Sequence, residues 1–174
     1  MAKNLRMTVY AALMAALMAA GAYIAIPVGP VPIVLQNLFI MLAGLLLGPR
    51  WGTVSVGVYL LAGAFGLPVF SGGSGGLARF AGPTGGYLLG FLPAVYLIGL
   101  ISRRKRRRAL WDVLAMVLGT ALIYAMGVSW LIVWTHMGLQ KALAAGVLPF
   151  LVGDALKIAA AVPIARALRP VIRE

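Results

Sequence analysis

A chain of 174 residues that is 63% hydrophobic and 10% charged, with a mean hydropathy of +1.02, lies outside the range of soluble domains, which run at about 45–50% apolar and 25% charged. It reads as an all-α integral membrane protein, one transmembrane domain over residues 1–174 with no room for a separate soluble module, so any ATPase must come from another chain. A net charge of +12 would point to nucleic acid in a soluble protein, but in a membrane protein basic residues mainly set orientation, and no nucleic-acid partner is expected. With no cysteine, disulfides, a thiolate nucleophile and Cys-ligated metals are excluded.

The first apolar run, Met7 to Ile26, follows Lys3 and Arg6. It is too long for the 7–15-residue apolar core of a signal peptide and is read as a span. Pro27 to Pro32 holds three prolines, which remove backbone donors and impose extended geometry on the residues before them, so this is a turn. Ile33 to Gly48 is a second span, Gly48-Pro49-Arg50 breaks it, and Trp51 to Gly66 is a third. Leu67 to Pro83 changes to Gly, Ser and Pro, a composition no ordinary helix tolerates, and forms the long loop. Thr84 to Ile101 is a fourth span with Thr84 as its N-cap. Six basic residues, Arg103 to Arg108, separate it from a fifth span, Leu110 to Trp134. A connection from Thr135 to Gly146, with room for a short surface helix, leads to the sixth span, Val147 to Leu168, where Pro163 marks a kink.

Six transmembrane helices leave both termini on one side. That side receives Lys3, Arg6, Arg50, Arg103 to Arg108, Arg166, Arg169 and Arg173, and the other only Arg79, Lys141 and Lys157, 12 basic residues against 3. The positive-inside rule then makes both termini cytoplasmic and the Gly-rich loop between helices 3 and 4 an outer loop. The basic run would meet membrane lipid headgroups, and Trp130 and Trp134 would belong to the outer aromatic belt.

Just beneath that outer face stand Asp154 and Lys157, three apart on one helical face. Charges inside a span cost roughly 2.5–3.5 kcal/mol each and should face the bundle or a cavity. Two readings stay open: an ion pair that locks helices, or contacts to a polar solute entering from outside. Asp accepts from N–H groups, and Lys holds a carboxylate as a point charge. The loop Gly66 to Gly76, with Gly82 to Tyr87, lets backbone approach a ligand closely. It is no phosphate cradle, since no lysine follows the glycines and the flanks are spans. Phe70 and Tyr87 give it an aromatic wall. Catalysis is not expected, because Ser55 and Ser129 have no base at helical spacing. His136, the single histidine, makes no metal site. Asn37 is expected to bond a neighbouring helix and Asp112 to offset the adjacent basic run. In the first span two small-residue ladders, Ala11-Ala15-Ala19 and Ala12-Ala16-Ala20, have the spacing that lets helices approach closely.

Several segments together resemble a known family: Val31-Pro32 with Gln36; Tyr59 and Gly63 leading into Gly66-Leu67-Pro68-Val69-Phe70; Gly72-Gly73-Ser74-Gly75-Gly76; Gly82-Pro83-Thr84-Gly85-Gly86-Tyr87-Leu88; and Pro149-Phe150-Leu151-Val152-Gly153-Asp154-Ala155-Leu156-Lys157. In this order and spacing they are similar to the BioY proteins, biotin-binding S components of energy-coupling factor (ECF) importers. Val34 departs from the Thr expected beside Gln36. The resemblance implies capture of biotin from outside by a multi-pass protein of the cell membrane, and import with a transmembrane coupling subunit and paired ABC-type ATPases, with no cofactor. Biotin offers ureido N–H donors, an apolar thioether ring and a valerate carboxylate. Asp154, Phe70 with Tyr87, and Lys157 match these in turn. Gln36 and Ser71 would complete the ureido contacts beside Gly73 of the loop, and Arg79 is a rival or additional carboxylate partner. An A-x-x-x-A face docks the coupling subunit in that family, and either Ala ladder has that spacing. Two other classes stay open: a self-sufficient proton-coupled secondary transporter of a small carboxylate-bearing vitamin, with Asp154 as carrier, and an intramembrane enzyme.

Overall fold

The apolar runs become helices, and proline and glycine set their ends. The computed structural model describes residues 2–27, 30–103 and 109–173. Its elements are α1 (Ala2–Tyr23), β1 (Ala25–Ile26), β2 (Ile33–Val34), α2 (Gln36–Ala64), α3 (Ala78–Ala81), α4 (Gly85–Ser102), α5 (Ala109–Thr135), α6 (Leu139–Gly146) and α7 (Leu148–Arg173). Among the described residues, five helical stretches are long and apolar enough to cross a membrane. Of the basic run, Arg104 to Arg108 lie outside the described residues, as do Val28 and Gly29 of the first turn and the side chains of Lys3 and Arg173.

One of the five stretches, α2, is broken. Gly48 has φ +77° and ψ −173°, and Pro49 follows without an amide donor, so helical hydrogen bonding does not carry across the joint. The two arms fold back on each other. A Cβ at Gly52 would lie 3.0 Å from the Ala43 carbonyl oxygen, although these positions stand roughly 13 Å apart along an unbroken helix. The arms coincide with the second and third expected spans. Gly99 of α4 seats against the reversal, where any Cβ would collide with the Gly48–Pro49 backbone.

Helix α4 packs between α2 and α5, α1 lies on α2, and α7 touches α2 and α5. Lipid is as apolar as the side chains, so what holds such a bundle is close packing rather than exclusion of water. On α1 this separates the two ladders. Ala11 and Ala15 are buried and Ala19 is half-buried against the core, whereas Ala12, Ala16 and Ala20 are exposed. Ala11, Ala15 and Ala19 are therefore turned toward the bundle, because neighbouring positions on a helix face different ways.

Other expectations need correction. The proline-rich turn is spanned by a two-stranded antiparallel ladder pairing Ala25 with Val34 and Ile26 with Ile33. The long loop contains the four-residue helix α3. Thr84 occupies the N-cap position but makes no side-chain capping bond. Helix α7 continues through Pro163 and Pro170 to Arg173. Asp112 grips Arg169 of α7 through two hydrogen bonds, Nη2 to Oδ1 at 2.7 Å and Nη1 to Oδ2 at 2.9 Å, and both residues are buried. A guanidinium fork fits a carboxylate with two parallel bonds, which no diffuse neighbouring charge provides. Trp130 is more than a belt residue, since its indole N–H donates to the Gly82 carbonyl at 2.9 Å.

Candidate ligand-binding site

At the end of the bundle opposite the Asp112–Arg169 pair, the long loop folds over a cavity. Its glycines let it do so: Gly66, Gly72, Gly73 and Gly76 all have positive φ, which side chains disfavour. The loop carries hydrogen bonds of its own. Phe70 N–H donates to the Ser74 carbonyl at 2.9 Å, and Gly76 N–H donates to the Gly63 carbonyl at 2.7 Å. Two tyrosines on different helices hold consecutive loop carbonyls. Tyr23 at the end of α1 donates to Pro68 at 2.5 Å, and Tyr59 of α2 donates to Val69 at 3.1 Å. Phe70 thereby lies face to edge with Tyr59 and Phe80, ring centres 5.5 and 5.6 Å apart. A side chain at Gly63 would occupy the Phe70 ring position.

The cavity beneath offers about 70 Å³ to the centres of water-sized molecules, the room of several waters. Val31, Pro32 and Val34 come from the first turn and β2, Gln36 and Asn37 from the start of α2, and Phe70, Ser71 and Arg79 from the loop and α3. Thr84 and, on α4, Tyr87, Leu88 and Phe91 form the next wall, and Ile123 and Tyr124 of α5 with Phe150 of α7 close it. The walls are mostly apolar and aromatic with a few convergent polar groups, the usual make-up of a small-molecule site. Tyr87 presents its ring, because its hydroxyl is committed to the Gly146 carbonyl at 2.8 Å. Arg79 is exposed and stands at the rim as a cation.

Of the residues expected to bind ligand, Gln36, Phe70, Ser71, Arg79 and Tyr87 line this space. Gly73 does not, since its backbone faces the Tyr23 ring, 3.3 Å from where a Cβ would stand. Asp154 and Lys157 lie one layer behind the wall. They pair with each other, Nζ to Oδ1 at 2.7 Å, and Tyr124 donates to Asp154 Oδ2 at 2.5 Å, so the wall residue Tyr124 links them to the cavity. The sequence reading missed Tyr124, and a lone hydroxyl in an apolar span was its one signal, because such a group needs a partner in hydrocarbon. Asn37 was also missed as a wall residue. Its Oδ1 and the Nε2 of Gln36 are buried without hydrogen-bond partners, an arrangement that costs about 1–3 kcal/mol per group.

The BioY family model matches residues 1–174. The biotin transporter BioY of Thermotoga maritima is 41% identical over 165 residues, 95% of this chain and 96% of the relative. The probable biotin transporter BioY of Pyrococcus horikoshii is 46% identical over 158 residues, 91% and 93% of the two chains. A crystal structure of the S-component for biotin from an ECF-type ABC transporter superposes with a TM-score of 0.90 at 36% identity, covering 96% of this chain and 92% of that one. A fold, a covered aromatic cavity and end-to-end sequence similarity agree: the chain belongs to the BioY family.

Proposed function

We propose that this protein captures biotin in the cell membrane as the substrate-binding S component of an ECF-type importer and hands it to a transmembrane coupling subunit driven by ABC ATPases. It transports and does not catalyse. One observation in its own residues carries the reading: a loop-covered cavity with aromatic walls at Phe70 and Tyr87, an unpartnered amide at Gln36 and the Arg79 cation at its rim. These match the apolar bicycle, the ureido group and the carboxylate of biotin. Asp154 is already held by Lys157 and Tyr124, which disfavours it as the free acid of a proton-coupled porter. Asp154, Lys157 and Ser71 support the ligand from behind and beside the wall.

The finer architecture follows the same reading. The two arms of α2 count as separate spans, giving one domain of six transmembrane helices with both termini cytoplasmic and the Gly-rich loop outside. The exposed ladder Ala12, Ala16 and Ala20 is the face offered to the coupling subunit, since small residues permit close helix approach.

The test is equilibrium binding of radiolabelled biotin to the purified chain without nucleotide, together with its melting temperature in detergent. Biotin should bind and raise the melting temperature. If biotin leaves it unmoved while another vitamin raises it, the substrate assignment is wrong. Ala16→Trp should abolish co-purification with the coupling subunit while sparing biotin binding, and unchanged co-purification would move the docking face elsewhere.

A further inference from the structure

The second arm of α2 carries one apolar stripe along its length. Val54, Val58, Leu61 and Phe65 follow one another at intervals of four, three and four residues, the spacing of a single helical face. All four are exposed, from 47% at Val54 to 87% at Phe65. Phe65 caps the helix and continues its face, since its N–H still donates to the Leu61 carbonyl at 2.9 Å. The lower part of the stripe belongs to a stretch long and apolar enough to cross the membrane, so its exposed side chains face lipid. The stripe does not stop where the helix does. From its far end the long loop returns to this point: the Gly76 N–H donates to the Gly63 carbonyl at 2.7 Å, and a Cβ at Gly75 would collide with the Leu67 carbonyl. Both ends of the loop are thereby joined beside Phe65, and each brings an exposed leucine, Leu67 and, at 71%, Leu77. From Trp51 to Ala78 the sequence holds no Lys, Arg, Asp or Glu. Large apolar side chains grouped in the open mark a contact with membrane or protein.

We infer that Phe65, Leu67 and Leu77 form a lipid anchor at the root of the loop, seated in the leaflet at the cavity end of the bundle. Continuity names the occupant. The stripe that faces hydrocarbon at Val54 and Val58 runs on one helical face, without an intervening charge, up to Phe65, so the acyl chains that cover its lower part also reach its top. Apolar side chains at such a boundary sink into the region where headgroups meet acyl chains. The two feet of the loop are thus held at the membrane surface, and the stretch between them, residues 68–75, is what folds over the cavity. The anchor is independent of what the cavity holds.

The chain has no cysteine, so a single introduced thiol can carry a nitroxide at a chosen site. Phe65→Cys and Leu77→Cys, spin-labelled in the full chain and reconstituted in phosphatidylcholine vesicles, are compared with Leu61→Cys within the span and Lys141→Cys at an exposed cation of α6. Electron paramagnetic resonance reads collisions of each label with oxygen, which concentrates in lipid, and with a water-soluble nickel chelate. At Phe65 and Leu77 the ratio of oxygen to nickel access should be several-fold above that at Lys141 and approach that at Leu61. A ratio no higher than at Lys141 would put the loop root in water and overturn the inference. Low access to both reagents would overturn it as well, because a protein surface, such as a second copy of the chain, would then cover the patch. Melting temperatures check that each variant is folded, and if Phe65→Cys does not fold, Leu67→Cys takes its place beside Leu77→Cys.

Discussion

Among the described residues the protein buries two ion pairs, and they differ in what they join. Asp112 and Arg169 are 57 residues apart, meet through two bonds and tie the first turn of α5 to the last turns of α7. Asp154 and Lys157 are three apart on α7. A pair closed across the bundle resists separation of its helices. A pair closed within one helix survives any rigid movement of that helix and adds nothing to packing by itself. Among the described residues it is bonded to another element through the Tyr124 hydroxyl on Asp154. Firm closure thus lies at one end of the bundle, and a charge balanced locally, free to answer to the cavity, lies at the other.

The largest effect should come from breaking the long-range pair. Asp112→Ala strands a buried guanidinium and should destabilise the protein by about 3–5 kcal/mol, while Asp112→Leu with Arg169→Met should recover most of it. Melting temperature in detergent reads this directly, and a single variant that melts normally would erase the contrast between the pairs. Next, Lys157→Met unpairs Asp154 behind the cavity wall and should cost about 1.5–3 kcal/mol in biotin affinity, about ten- to a hundredfold. Its ligand-free melting temperature should fall less than that of Asp112→Ala, because Tyr124 still serves the carboxylate. A neutral biotin amide as second ligand sharpens the point. Equal losses for acid and amide are expected, since Lys157 stands behind the wall and Arg79 at the rim lines the cavity, and a loss confined to the acid would instead give the carboxylate to Lys157. The smallest effect is expected for Tyr124→Phe, about 1.5 kcal/mol in binding, since Lys157 keeps one oxygen of Asp154 occupied. Loss of stability without loss of affinity would show that Tyr124 only braces α7.

Sequence legibility followed the range of the interaction. Hydropathy located every long helix, and Gly48-Pro49 was readable as a break because both residues fail locally, one by its dihedral freedom and the other by its missing donor. Phe70 and Tyr87 were nameable from residue chemistry, and Gln36 only through the family resemblance. Their assembly was less visible. The partner of Asp112 is on another helix, and the local sequence offers a nearer distraction in the basic run. The Ala ladders have identical spacing, and only the bundle around them makes Ala15 inner and Ala16 outer. Trp130 reaching Gly82 and Tyr124 reaching Asp154 depend on how α5 is rotated, which an evenly apolar helix does not encode.

The two tyrosine hydroxyls on Pro68 and Val69 also have a kinetic meaning. A molecule leaving the cavity through the loop must first have both grips released, one from α1 and one from α2. At about 0.5–1.5 kcal/mol for each neutral hydrogen bond, an exit that broke both before its barrier would be slowed roughly five- to 150-fold. Tyr59 also packs edge-on against the Phe70 ring, so the grip that closes the loop sets part of the cavity wall as well. Because α1 carries both the Tyr23 grip and the exposed Ala12-Ala16-Ala20 ladder, a shift of this helix would be felt at the loop over the cavity.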